Sequence, residues 1–306
     1  MMKNLTLLAL LFFGFYAIAQ QTGQDSTGLP GDDFSLQGAL QAFEKAASPE
    51  EFEKAINTEA NHVNNLDLNE DGETDYVRVI DMVDGDVHVF VMQVPVSETE
   101  SQDIAVIELE KTGAEEAMIQ IVGDPDIYGE EVIYEPDGTT ENPGGRKGAG
   151  PVVDPYGPDA YVVVNVWFWP SVRFVYAPVY RPWVSPWRWR YYPVWWSPWR
   201  PVAWRIWHPY HRHFHRSYVV INTRRVVRAP QIYAPRRTIS VTVKSRNATR
   251  VGNYRVAKRT TVTGPGGSKV TKTTVKGPRG KASRTTVKGP KGNVRGSKTT
   301  VKRRRN

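Results

Sequence analysis

The chain contains no cysteine, which excludes disulfides, thiolate metal sites, a thiol nucleophile and a lipid anchor on a cleavage-site cysteine. A second absence is regional: no acidic residue occurs after Asp159, although 33 lysines and arginines follow it. Between residues 20 and 150 the balance reverses, with 30 Asp and Glu against 6 Lys and Arg, so the net charge of +8 conceals two opposed halves. Cations without local counter-charges must be neutralised by the acidic half or by another molecule. Catalytic signatures are missing too. There is no His-Glu-x-x-His, no Gly-x-Ser-x-Gly, no phosphate loop and no dinucleotide fingerprint, so the expectation is a protein that is not an enzyme and has no evident small-molecule substrate.

The one long apolar run comes first. Lys3, the apolar residues 5–18 and the small-residue site Ala17-Ile18-Ala19 follow the order of a secretory signal. Residues 1–19 are therefore expected to be removed and the chain exported, to the periplasm, the outer-membrane surface or the extracellular space. The run is shorter than the roughly 20 residues a spanning helix needs.

Residues 20–32 are polar and read as a flexible leader. The pattern over residues 33–136 predicts an acidic α+β domain. A first helix carries Leu36, Leu40 and Phe43 at helical spacing. A second opens on Ser48-Pro49-Glu50-Glu51, with Ser48 as cap, Pro49 in the first turn and Glu51 closing a capping box. From Tyr76 the period becomes two, with Val77 and Val79 on one face and Arg78 and Ile80 on the other. A turn at Asp84-Gly85 leads to a returning strand whose Val87, Val89 and Val91 are expected to continue the apolar face. Residues 104–110 and 117–122 add two strands, giving a small antiparallel β-meander with two N-terminal helices.

Residues 137–160 are rich in Gly and Pro and read as a linker. All ten tryptophans fall between Trp167 and Trp207. In this segment, residues 161–236, strands are expected at 161–169 and 172–176, then extended chain, because proline recurs too often for regular interiors. Its His211, His213 and His215 would share a face if extended, but Arg212 and Arg216 oppose a divalent ion, and the run is read as more of the same cationic, aromatic composition. Residues 237–306 repeat Thr-Thr-Val units with Gly-Pro turns and have too few large apolar side chains for a core. That predicts a largely disordered basic tail, whose Val and Thr could pair as strands on a template.

Three candidate surfaces follow. Asp67, Asn69 and Asp71 place oxygen donors at alternating positions, Gly72 permits a tight turn, Glu73 offers its carbonyl and Asp75 closes the shell, a set suited to structural Ca2+. An Asx-rich turn without an ion is the alternative. Trp183, Trp187, Arg188, Trp189, Arg190, Trp195, Trp196 and Trp199 could sit in a membrane interface, stack on sugars or bases, or pack on the domain. Lys276, Arg279, Lys281, Arg284, Lys288, Lys291, Lys302, Arg303, Arg304 and Arg305 could bind polyanions: lipopolysaccharide, acidic polysaccharide or extracellular DNA. The tail could also fold back on the acidic domain.

The run 67–75 resembles the calcium loops of EF-hand and dockerin proteins, and more closely those of FG-GAP repeats, where Asp-x-Asn-x-Asp-Gly-x-x-Asp leads into a strand. Arg78 stands where an EF-hand needs its bidentate Glu. Residues 66–72, 76–81 and 96–103 together resemble uncharacterised exported proteins of Bacteroidota, a likeness that implies export and no defined activity. The combined expectation is an exported, calcium-stabilised envelope or extracellular protein that adheres to polyanions, with a membrane-interacting or envelope-stress factor as the alternative.

Overall fold

A computed structural model describes residues 26–138, 163–211, 214, 217–221, 223–256, 259–263, 269–277, 280–290 and 294–303. The expected signal (1–19) and most of the expected linker lie outside these residues, as do Arg279, Lys291, Arg304, Arg305, His213 and His215.

The fold is α+β. Helix α1, Leu36–Lys45, starts where the Ser35 side chain accepts the Gly38 N–H at 3.0 Å. Helix α2, Pro49–Ile56, starts where Ser48 accepts the Glu51 N–H at 3.2 Å. The return arm of that capping box reaches Ala47, whose N–H Glu51 accepts at 2.9 Å. At the end of α2, Asn57 exchanges two bonds with the Val77 backbone, 2.6 and 2.8 Å, and so fixes the chain at the entrance to the sheet.

Six antiparallel strands stand in sequence order: β1 (Arg78–Asp84), β2 (Val87–Pro95), β3 (Ser101–Gly113), β4 (Glu116–Gly123), β5 (Val132–Pro136) and β6 (Tyr218–Ile221). The first hairpin pairs Asp84 with Val87, and Gly85 takes φ 59°, the left-handed value that a two-residue hairpin turn needs at this position. The expected continuity of one apolar face is corrected by the register. Val79 opposes Met92, whereas Ile80 opposes Val91 and Met82 opposes Val89, so Val87, Val89 and Val91 lie on the face opposite Val79. Both faces are apolar because both are covered. On one, α1 and α2 close over Phe43, Phe52, Phe90 and Ile107. On the other, α6 (Ala229–Tyr233) covers Val89, Val106 and Val122.

The late chain is part of this packing. Strand β6 pairs with β5, and Val166, Trp169, Val172, Val175, Tyr218 and Val243 enter the same core as α1 and α2. The boundary set at residue 136 therefore separates segments that share one sheet and one core. Residues 172–175 are helical, in α4 (Pro170–Val175), because Pro170 sits in the first turn where its missing N–H costs nothing and fixes φ. Of the strand expected at 161–169 the described residues, 163–169, form no more than an isolated bridge at Val163 and then a turn. A further helix, α5 (Trp204–His211), makes residues 208–211 helical where extended chain was expected. The described part of the leader is tied down: Ser26, Thr27 and the Gly28 N–H all bond the Asp32 carboxylate.

Residues 241–256, assigned to the tail, form helix α7 (Val241–Val256), with the Ser240 hydroxyl accepting the Val243 N–H. Propensity opposes this helix, since Val and Thr recur in it and Gly252 interrupts it. Tertiary contacts decide: Val243 is fully buried and Tyr254 donates to Glu130. Beyond it, β7 (Arg259–Thr263), β8 (Lys269–Gly277), β9 (Gly280–Lys288) and β10 (Val294–Arg303) form a second antiparallel sheet in the order β10-β9-β8-β7. The Thr-Thr-Val units supply its strands. A short helix, α3 (Pro125–Tyr128), joins β4 to β5.

Candidate functional site

The acidic loop lies between α2 and β1. Asp67 accepts the N–H groups of Asp71 and Gly72 at 3.1 and 2.9 Å, Asn69 accepts Asp71 N–H at 2.9 Å, and Asp71 accepts Glu73 N–H at 2.9 Å. Gly72 at φ 86° makes the tight turn, and Glu70 also takes the left-handed region, at φ 61°. Asp75 turns inward to accept Leu68 N–H at 2.5 Å and is buried. Burial, then the nearby Asp67 and Asp71, raise its pKa to about 7. Thus Asp67, Asn69, Asp71 and Asp75 are brought together and Glu73 stands exposed beside them. Among the described residues no group of three or more His, Asp or Glu takes metal-holding geometry, and the loop oxygens engage the loop's own N–H groups.

Helix α7 crosses this loop. Arg246 Nη1 donates to the carbonyls of Asn69 and Leu68 at 2.6 and 3.3 Å, and Arg250 pairs with Glu70 at 3.2 Å. These are two of the cations expected to need a partner, and the acidic half supplies it. Further along, Arg237 clamps Asp124 with bonds of 2.6 and 2.7 Å and reaches Asp126 at 2.8 Å. Arg225 meets Glu135 at 2.8 Å, and Arg224 lies 3.4 Å from Glu108. Desolvation pushes Glu108 up to about 7 and Asp103 to about 6, even though Asp103 accepts Tyr233 OH, Thr238 N–H and Gln93 Nε2.

The Trp/Arg segment is a strap along the outer edge of β1. Asp81 N–H donates to Trp183 O at 2.7 Å and Ser185 N–H to Val79 O at 3.0 Å. Glu53, 2% exposed, is its anchor: Oε1 accepts Tyr76 OH and Ser185 Oγ at 2.8 and 2.9 Å, and Oε2 accepts Val79 N–H and Trp183 Nε1 at 2.8 and 3.1 Å. Trp196 is buried edge-on against Tyr76, 5.0 Å between centroids, with Tyr192 and Trp199 beside it. Trp183, Trp187, Trp189 and Trp199 are half-buried. Of the six tryptophans singled out, only Trp195 is exposed, and Lys54 lies over its ring at 5.5 Å. Arg188 and Arg190 are exposed and lie over Tyr191 and Trp189. Through these contacts the segment packs along the domain edge.

The buried acids Glu53, Asp81, Asp103, Glu108 and Asp124 were not singled out in the sequence. Their signal was present in β3, where Asp103 and Glu108 interrupt an apolar run at fully buried positions. Asp81 likewise binds His88 Nδ1 at 2.9 Å and accepts Tyr180 OH at 2.8 Å, linking a strand to the strap. No protein-family model matches the chain, and neither the curated proteins nor the solved structures yield a match.

Proposed function

We propose that this is an exported, non-enzymatic envelope or extracellular protein whose folded acidic body displays a basic sheet that adheres to polyanions. One observation carries the reading. Arg224, Arg225, Arg237 and Arg250 are spent on carboxylates of the body, whereas residues 257–306 hold 16 lysines and arginines and no acid. Such a segment concentrates anions and releases counterions when it binds a polymer of them. The membrane-active alternative is less favoured, because of its six rings only Trp195 is exposed and the others are buried or half-buried along the strap.

The test is retention of the full chain on immobilised anionic polymer against increasing NaCl, with uncharged dextran as control. Binding is expected at about 50 mM salt and elution well before 1 M, the steep salt dependence of counterion release. Retention on dextran, or none on any anionic matrix, rejects the reading.

Within the same proposal, Ca2+ is the ion of the acidic loop, held by Asp67, Asn69, Asp71, the Glu73 carbonyl and Asp75. The donors are hard oxygens, and a divalent cation would offset both the burial of Asp75 and its repulsion by Asp67 and Asp71. Calcium at about millimolar concentration is expected to raise the melting temperature by a few degrees, and Asp71→Ala to abolish that rise. Identical melting in calcium and in chelator removes the ion from the account.

A further inference from the structure

The register of the second sheet sorts its cations onto two faces. Lys276 stands opposite Lys281, and Lys281 opposite Lys302, so three lysines form one cross-strand row. The next row on that face is Thr274, Ser283 and Thr300; the one after it holds Lys272, Thr285 and Lys298, with Thr260 at its end. The last row is Val270, Val287 and Val262, with Gly296. The opposite face holds Arg259, Thr273, Arg284 and Thr299 in one row, an apolar row of Val275, Ala282 and Val301, and at its end a row of Thr263, Lys269, Lys288 and Val294.

Apart from Arg295 at a bulge, each face thus receives five paired strand cations; on the first all five are lysines and three of them share one row, whereas the second divides its five between Arg259, Arg284 and Arg303 and the single opposed pair Lys269 and Lys288. Neighbouring strands lie about 4.8 Å apart, and rows two positions apart on one face lie about 13 Å from each other. Like charges directly opposite destabilise a sheet, so a triple lysine row is a local cost without an external anion. The lysine face carries no arginine at any paired strand position, and arginine is the residue suited to planar, two-pronged phosphate recognition. No Phe, Tyr or Trp occurs after Tyr254, so the tail has no platform on which nucleic-acid bases can stack. Point charges alternating with a row of hydroxyl-bearing residues suit a polymer that alternates carboxylates with hydroxyls.

We infer that the lysine face of the β7–β10 sheet is the docking surface for a linear acidic polysaccharide of the polyuronate kind. This deepens the polyanion reading and depends on it. Contact is made by face, with Lys276, Lys281 and Lys302 as its centre and Lys272 and Lys298 as its second row.

The experiment compares two full-length triple variants of equal charge: Lys276→Gln/Lys281→Gln/Lys302→Gln, and Arg259→Gln/Arg284→Gln/Arg303→Gln on the other face. Affinity for alginate is expected to fall about tenfold or more in the first and to change about twofold or less in the second, at one fixed salt concentration because the electrostatic term varies steeply with salt. Melting of the first variant is expected to be unchanged or higher, since a repulsive row has been removed; this separates lost contact from lost folding. Equal losses in the two variants overturn the face assignment and leave general polyanion binding standing. Wild-type binding to duplex DNA with none to alginate overturns the ligand class alone. Wild-type binding to neither, with no retention on any anionic matrix, sinks both this inference and the function it deepens.

Discussion

Glu53→Ala is expected to lower the unfolding free energy by about 3–5 kcal/mol, among the largest effects available to a single substitution here. The carboxylate is buried and accepts four hydrogen bonds, two at each oxygen. Alanine leaves the Val79 N–H and the Trp183 indole without an acceptor, and each buried unsatisfied donor costs about 1–3 kcal/mol. It also detaches Ser185, hence the strap from α2. Glu53→Gln is a sharper companion. Its carbonyl can keep Val79 and Trp183 while its amide donates to the hydroxyl oxygens of Tyr76 and Ser185, which can reverse their roles. Burial raises the pKa of Glu53, so removing the charge also removes a desolvation cost. The loss for glutamine is expected to be about 1 kcal/mol. Urea denaturation followed by tryptophan fluorescence measures both. Equal losses in the two variants would show that charge, not acceptor geometry, holds the strap.

Ending the chain at residue 138 is expected to abolish cooperative folding. The fragment loses Val166, Trp169, Val172, Val175, Tyr218 and Val243 from the main core and Val226, Ala229 and Ile232 from the second. It also strips Arg237 from Asp124, Arg225 from Glu135 and the Thr238 N–H from Asp103. Residues 26–138 hold 28 acidic against 4 basic residues, so self-repulsion adds to the lost burial. The expected readout is a broad, non-cooperative melt with dye binding to exposed apolar surface. A fragment that melts sharply at the temperature of the full chain would restore the boundary at residue 136 as a true domain limit.

That boundary shows where sequence reading stops. Helices α1 and α2 announce themselves through Ser35, Ser48 and Pro49, and the first hairpin through alternation and Gly85, because caps and turns are local chemistry. The face assignment of Val87 failed because alternation gives a period, not the number of covered faces. A sheet covered on both sides makes every second residue ambiguous. Residues 172–175 carry strand-forming side chains and still form α4, since Pro170 and the packing of Val172 outweigh propensity. Helix α7 has no periodic signal strong enough to read; Arg246 and Arg250 hold it from 177 and 180 residues away in sequence. Charge segregation was legible from composition alone. Which cations would be absorbed by the body was not, because that depends on where Asp124, Glu135 and Glu70 stand in space. The acidic loop's donors were readable by spacing, while the inward turn of Asp75 toward Leu68 required the fold.

The strap has a consequence for how copies of this molecule can meet. An uncovered strand edge is a template onto which another chain can add. On the six-stranded sheet, β1 is closed by the Trp183 carbonyl and the Ser185 amide, leaving β6 as its other flank. Addition of a second copy to this sheet is therefore confined to the β6 flank, and pairing of two copies through β6 would leave the six-stranded sheet no further flank on which to extend.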